Sequence, residues 1–244
     1  PQRIGFFQCD NGAAPWLYTQ TIKRQTDHHE VDRIFSLLAP FTIPKANRDL
    51  TSDIKFTQED VSKVQSFKLK NQFIVLAPCS QWATKAWPLE HYSELTKRLI
   101  KENFQVVLVA SSSNSDLESC DLISKLVQHP NCVNLSGKTS FTELSCLLSK
   151  ASLVISNDSA PMHMADAHHK QQLVIFGSTT PQLGFAPRSV ESQIIENTAL
   201  GCRPCGKHGH QKCPQEHFDC MLSISVPLVF SQALAKLQAS KSTM

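Results

Sequence analysis

The chain has 244 residues, 41% of them hydrophobic and 18% charged. That is enough apolar material for one large α/β domain, or one domain and part of another, with a real core. A formal charge of +3 from scattered basic residues gives no support to nucleic acid as a partner, and no apolar run is long enough to span a bilayer.

The start, Pro1-Gln2-Arg3-Ile4, carries no signal-peptide core and no initiator Met, so a processing boundary is expected there. Five of the nine Cys are scattered (Cys9, Cys79, Cys120, Cys132, Cys146), as small core residues would be. Together with the missing signal this favours a reducing, cytosolic setting.

In chain order, Arg3 to Phe7 suggests a short strand. Gln20 to Leu38 has the apolar spacing of an amphipathic helix, with Val31, Ile34, Phe35, Leu37 and Leu38 on one face and His28, His29, Glu30, Asp32 and Arg33 on the other. Adjacent helix positions diverge by about 100°, so the His-His-Glu run is expected to be a solvated face, not a metal site. Residues 40–70 look like a connector into a new domain, with one helix from Thr57 to Phe67.

From Phe73 a regular alternation begins. Buried-strand runs stand at Phe73–Leu76, Val106–Val109, Cys132–Leu135, Leu153–Ile155 and Leu173–Phe176. Helical patterns fill the gaps at Leu89–Lys101, Ser115–His129 and Phe141–Lys150, the last capped by Ser140 or Thr139, and a further helix follows Pro161. Such βαβ units predict an α/β, doubly wound parallel sheet with ligands at the carboxyl ends of its strands. A final amphipathic helix runs from Val226 to Leu237, and the Lys236–Lys241 tail is expected to be disordered. Three segments follow: residues 1–60 as the end of one domain and a linker, 61–230 as the sheet domain, and 231–244 as terminal helix and tail.

Five loops leave strand ends on that edge: Ala77 to Lys85, Ala110 to Ser113, Ser136 to Thr139, Asn157 to Ser159, and Gly177 to Pro181. They are rich in hydroxyls and hold Lys85 and Lys138, the ingredients of a phosphate cradle. Asn157 to His163 is the central stretch. Asp158 or Ser159 can cap the helix that follows, and Pro161 suits its first turn. It fits an ordinary capped turn as well as a helix N-terminus that receives a phosphate. Neither a P-loop nor a dinucleotide fingerprint is present.

Cys202-x-x-Cys205, Cys213 and Cys220 crowd four thiols into nineteen residues, with His208, His210 and His217 between them. Metal ligation by zinc or iron, free thiols and disulfides all fit the spacing; a metal held by four thiolates would be structural, with no open position for chemistry.

The ordered set of segments resembles a known family. Ala77-Pro78 to Lys85 with Ala86-Trp87-Pro88-Leu89-Glu90-His91-Tyr92, Asn134 to Ser140, Asn157-Asp158-Ser159-Ala160-Pro161-Met162-His163, and Gly177 to Pro181 are similar in order and spacing to the glycosyltransferase family 9 heptosyltransferases. The segment around Cys202-Arg203-Pro204-Cys205, Cys213-Pro214, His217 and Cys220-Met221 points within the family to the lipopolysaccharide heptosyltransferase II type. The strong resemblance covers residues 73–221, and residues 3–38 match more loosely.

The resemblance implies a GT-B fold, with two Rossmann-like domains. It implies inverting transfer of heptose from ADP-heptose to the lipopolysaccharide inner core, at the cytoplasmic face of a bacterial inner membrane with peripheral contact, and no cofactor for the chemistry. By resemblance Ser80 and Lys85 contact the donor diphosphate, and Asp158, Ser159 and Ala160 lie beside it. Leu135 to Thr139, including Gly137, Lys138 and Thr139, line the nucleotide side. His163 either orients the loop or is structural. Asp158 is an anion, so its expected role is a cap or a partner for Lys85. The family's base comes from the start of the first domain, and no residue here takes that role. Cys79 and Ser80 stand where the family has Gly and Ala, Ala86 where a basic residue is usual, Ala160 where Gly is usual, and Ser111 to Ser113 where a Gly-rich turn is usual. These departures leave two alternatives open: a heptosyltransferase that modifies protein, and an inactive nucleotide-sugar-binding paralogue.

Overall fold

A computed structural model of the chain describes residues 1–7, 15–41, 43 and 53–242. The chain divides into two compact units: Pro1–Thr51 with Pro181–Ala186, and Ser52–Thr180 with Pro187–Met244.

In the smaller unit, β1 (Ile4–Phe6) pairs in parallel with β2 (Gln20–Ile22), and α1 spans Glu30–Ser36. The helix expected from Gln20 is therefore a strand and a turn before it is a helix. Thr21 and Ile22 satisfy their backbone groups in the ladder, and helix starts only where the His29 ring accepts the Val31 N–H. Its faces also differ from the apolar spacing. Ile34 and Leu38 are exposed, whereas Arg33 is buried and donates to Gln25 O, Thr26 O, Leu183 O and Glu30. His29 Nε2 bonds Ala186 O and Glu30 pairs with Arg24 and Arg33, so these residues are not a solvated face. Part of the expected connector, and Cys9, lie outside the described residues.

The larger unit holds six parallel strands: β3 (Phe73–Ala77), β4 (Gln105–Leu108), β5 (Cys132–Asn134), β6 (Leu153–Asn157), β7 (Gln172–Phe176) and β8 (Ser192–Glu196). Their spatial order is β5-β4-β3-β6-β7-β8. This is the doubly wound order, with the winding direction reversing between β3 and β6. Five of the strands are those of the hydrophobic runs. β8 is not visible as a run because Ser192, Gln193 and Glu196 interrupt it at a sheet edge.

Side chains alternate across each strand. Ile74, Leu76, Val106, Leu108, Leu153, Ile155, Leu173 and Ile175 face one core, completed by α3 (Leu89–Lys101), α4 (Asn114–Val127) and α8 (Val226–Ser242). Phe73, Val75, Val107, Val109 and Val154 face the other, with α2 (Gln58–Ser66), α5 (Phe141–Lys150) and α6 (Ala160–Ala167). Capping boxes start α2 at Thr57 and α5 at Ser140, and Ser113 accepts the Asp116 N–H to start α4. A short α7 (Asp219–Leu222) precedes α8. The terminal helix is longer than expected. It runs to Ser242 and packs on α3, β6 and β7, burying Val229, Ala233 and Leu237, so the tail to Lys241 is helical, not disordered.

Candidate functional site: a cavity at the strand-order switch

A cavity of about 740 Å³ opens where β3 and β6 end. Loops from four strands line it: Cys79 to Trp82 and Lys85 after β3, Ala110, Ser111 and Ser113 after β4, Thr139 and Ser140 after β5, and Asp158 to Pro161 after β6. Asp116 and Ser115 come from α4, and Phe141 and Leu144 from α5 supply an apolar wall. Ligands of doubly wound sheets collect at this switch point, because the diverging crossovers leave a crevice there.

At its centre Lys85 Nζ lies 2.6 Å from Asp158 Oδ2, with side-chain exposures of only 13% and 7%. Thr179 Oγ1 donates to the same carboxylate oxygen at 2.7 Å. Asp158 is thus occupied as the partner of Lys85 and not as a cap. Ser159 holds the N-cap position of α6, yet its side chain makes no capping bond; Oγ donates to Asn157 O at 3.3 Å instead. In the first turn of α6, Pro161 has no N–H and the Met162 N–H bonds Ser159 O at 3.0 Å, so the end offers the Ala160 N–H to the cavity with no capping side chain over it. Such an end carries about half a positive charge. With Lys85 beside it, the wall is suited to an anion.

One residue organises this wall, and the motif alone did not show its role. Asn157 is fully buried. Its Oδ1 accepts the Trp87 N–H and the Tyr92 hydroxyl, both at 3.1 Å, and its Nδ2 donates to Pro78 O at 2.8 Å. The amide fastens the end of β6 to the loop after β3, so the two strands that flank the switch point share one hub. Its only sequence signal is a polar residue closing a strand otherwise buried throughout.

Six of the nine expected donor residues line the cavity: Ser80, Lys85, Thr139, Asp158, Ser159 and Ala160. The other three lie outside the lining. Gly137, at φ 68°, turns the chain behind it with its N–H on Ala110 O. Lys138 Nζ folds back onto Asn134 O at 2.9 Å. His163 is exposed on α6. The Ser-rich loop after β4 is held by Asp116, which accepts from Ser111 Oγ at 2.6 Å and the Ser111 N–H at 3.2 Å. The S-x-x-D pattern at Ser113 was the available signal for this.

Cys79 packs against the core, as expected, and also lines the cavity. A hydrogen bond with Cys120, together with burial, pushes its thiol well above the usual range, which removes it as a nucleophile. The four clustered thiols share one locality. Burial, then the nearby Cys205, Cys213 and Cys202 thiols, push Cys220 up to about 11 against the opposing pull of Arg203. Cys202 Sγ is 4.0 Å from His217 Nε2, and Cys205 Sγ donates to Cys202 O. Among the described residues no group of three or more His, Cys, Asp or Glu is arranged to hold a metal, and no helix is long and apolar enough to cross a membrane.

Comparison with known proteins gives this chain a family. The chain is 28% identical over 195 residues to the lipopolysaccharide core heptosyltransferase OpsX of Haemophilus influenzae, covering 79% of this chain and 55% of that one. Its fold resembles the ADP-heptose lipopolysaccharide heptosyltransferase II of E. coli with a TM-score of 0.76 at 23% identity, over 99% of this chain and 71% of the other. It also resembles E. coli heptosyltransferase WaaC with ADP, at a TM-score of 0.62 and 17% identity, over 91% and 60% of the two chains. The chain spans about half the length of the curated relatives it matches. These neighbours are GT-B enzymes, and the six-stranded sheet is Rossmann-like, as their fold requires. The profile described as "Glycosyltransferase family 9 (heptosyltransferase)" matches residues 1–215, and the chain belongs to that family.

Proposed function

We propose that this chain carries the donor side of a heptosyltransferase that moves heptose from ADP-heptose to the lipopolysaccharide inner core, working in the cytoplasm against the inner face of the inner membrane. The observation that carries it is the Lys85–Asp158 pair beside the open N-terminus of α6, in a cavity at the switch point. Family membership and the ADP that the WaaC structure holds support the choice of nucleotide.

Inverting transfer breaks the bond between the sugar's anomeric carbon and the diphosphate, and negative charge grows on the leaving diphosphate. Lys85 and the Ala160 N–H at the start of α6 are positioned to receive that charge. Asp158 keeps the ammonium aimed, and Thr179 keeps the carboxylate aimed. Ser80 and Thr139 offer hydroxyls to the phosphates, and Phe141 and Leu144 offer an apolar face to the base. No described residue is assigned as the base that activates the acceptor hydroxyl.

Calorimetry with ADP tests this directly. Wild type is expected to bind, and Lys85→Ala to bind at least about tenfold more weakly, the scale of one charge-assisted hydrogen bond. No heat with ADP at millimolar concentration would sink the donor assignment. A second reading, a nucleotide-sugar-binding relative without turnover, is favoured by Cys79 and Ala160 in the lining. It predicts unimpaired ADP binding together with no transfer to any heptose acceptor.

We also propose a structural zinc or iron ion on Cys202, Cys205, Cys213 and Cys220. Four soft donors lie within one loop, near enough that Cys202 and Cys213 push up the thiols of both Cys205 and Cys220, and the ion would draw together donors that are not gathered round one point without it. Elemental analysis of reduced protein is expected to find about one equivalent for this closed thiolate site, and none would refute it.

A further inference from the structure

We propose that the Gly209-His210 turn of the Cys-rich loop is the positioning element for Lys85, and so sets how tightly the cavity holds a diphosphate. This rests on the donor-site reading above.

Lys85 ends a three-residue 3₁₀ turn, Ala83–Lys85, whose own bonds are Lys85 N–H to Trp82 O and Ala86 N–H to Ala83 O. So short a turn has no cooperative stability of its own. Its placement comes from outside, through Thr84, which is 2% exposed. The Thr84 N–H and hydroxyl both donate to His210 O, each at 3.0 Å, and the His210 N–H returns to Thr84 Oγ1 at 2.8 Å. One residue on, Gln211 Nε2 donates to Gln81 O at 2.9 Å. One residue before, Gly209 sits at φ +88°, where a Cβ would stand 3.1 Å from Thr84 Oγ1 and Ser178 Oγ and 3.2 Å from Lys85 Cγ. Glycine is needed twice over at this point, for its backbone angle and for its close approach to the lysine stem.

The same loop also holds the other half of the ion pair. Arg203 donates to Thr179 O at 2.8 Å, and also to Gly177 O and Glu196, while Thr179 Oγ1 holds Asp158. The Cys205 N–H binds Ser178 O, and the Ser178 N–H binds Thr84 O. His210 Nε2 donates to Cys205 O at 2.8 Å and closes the turn on itself. The loop therefore grips the Lys85 side through Thr84 and the Asp158 side through Thr179. A segment with no element of the sheet fixes the relative position of ammonium and carboxylate.

The test is a double-mutant cycle read by ADP calorimetry on the full chain. Thr84→Val removes the two hydroxyl bonds of the clasp and leaves the backbone one, Thr84→Ser keeps the hydroxyl, and Lys85→Ala removes the group it positions. Thr84→Val is expected to weaken ADP about fivefold, near the worth of the lost hydrogen bonds. It should weaken AMP less, and Thr84→Ser should restore ADP binding. Combined with Lys85→Ala, Thr84→Val should cost little further affinity, because with no ammonium left to aim the clasp has no effect on the ligand. Additive losses in the double variant would overturn the proposal, as would equal loss of ADP and AMP. Gly209→Ala and Gln211→Ala repeat the cycle should Thr84→Val fail to fold. If wild type itself fails to bind ADP, the donor assignment falls and this proposal with it; binding by wild type with an additive cycle removes this proposal alone.

Discussion

Three residues divide the labour at the cavity, and each is held by a different kind of interaction. Lys85 is a charge held by a charge, at 2.6 Å from Asp158. Asp158 is a charge further held by the Thr179 hydroxyl. Asn157 is neutral and holds backbone and ring groups of the neighbouring loop. Two substitutions separate these roles. Asp158→Asn keeps the shape but removes the counter-charge, so Lys85 is no longer drawn down to the β6 end. It is expected to weaken ADP binding and also to lower stability by about 3–5 kcal/mol, because it leaves the buried Lys85 ammonium without its counter-charge. Asn157→Ala strands the Trp87 N–H, the Tyr92 hydroxyl and the Pro78 carbonyl at a buried site. It is expected to cost about 2–5 kcal/mol in urea unfolding, since each unmade buried hydrogen bond costs on the order of 1–3 kcal/mol. A loss below 1 kcal/mol would show that the hub is dispensable. The motif left Asp158 as either a cap or a partner for Lys85, and the 2.6 Å pair decides for the second. It left Asn157 illegible, because its partners lie some seventy and eighty residues away.

At the scale of the element, caps did much to make the helices legible. The helix from Phe141 after Ser140 ends where its periodicity ends, and Thr57 opens α2 as its sequence suggests. Both carry reciprocal capping boxes, a signal that is complete within four residues. α1 lacked such a signal. Its cap is a His ring, and the three residues that looked like its first turn are paired as a strand. A partner strand is invisible to any local period. The α2 cap also makes a pH prediction. The Thr57 N–H, and then the Thr142 and Thr57 hydroxyls, hold the Asp60 carboxyl below its ordinary value of 3.8. A carboxyl lowered in the folded state adds stability that is present above its unfolded pKa and is lost as pH falls through the folded one. Asp60→Asn is therefore expected to lower the melting temperature at neutral pH. The gap to wild type should close as the pH is taken down through and below 3.8, a comparison that calorimetry at a series of pH values makes directly. A gap that is constant with pH would show that the ionised carboxylate is not what α5 and α2 share.

For the whole molecule, the doubly wound sheet followed from five apolar runs and the helices between them, because such strands are buried on both faces and have no polar alternate. The sheet's edge and the smaller unit were not legible for the converse reason. β8 is half-exposed and polar, and Pro181–Ala186 joins the smaller unit although it lies between two strands of the larger one. Where the chain folds back is decided by contacts such as Arg33 to Leu183 and His29 to Ala186, 150 and 157 residues apart, and no window of sequence contains them. The sheet's topology does make a molecule-wide prediction. The cavity is assembled from loops of four strands, so a ligand there bridges segments that unfolding would scatter. It binds the folded state alone and stabilises it by mass action. ADP at a hundred times its dissociation constant adds about 2.7 kcal/mol. For a chain of this size that raises the melting temperature by about 5–10 °C. Lys85→Ala should lose most of that rise at the same ADP concentration, measured from its own ligand-free melting temperature, which is itself lowered because Asp158 is left buried without its cation. Thr84→Val should lose part of it. If ADP raises the melting temperature of wild type and Lys85→Ala equally, the nucleotide binds without its phosphates reaching Lys85, and the anion wall at the N-terminus of α6 belongs to some other ligand.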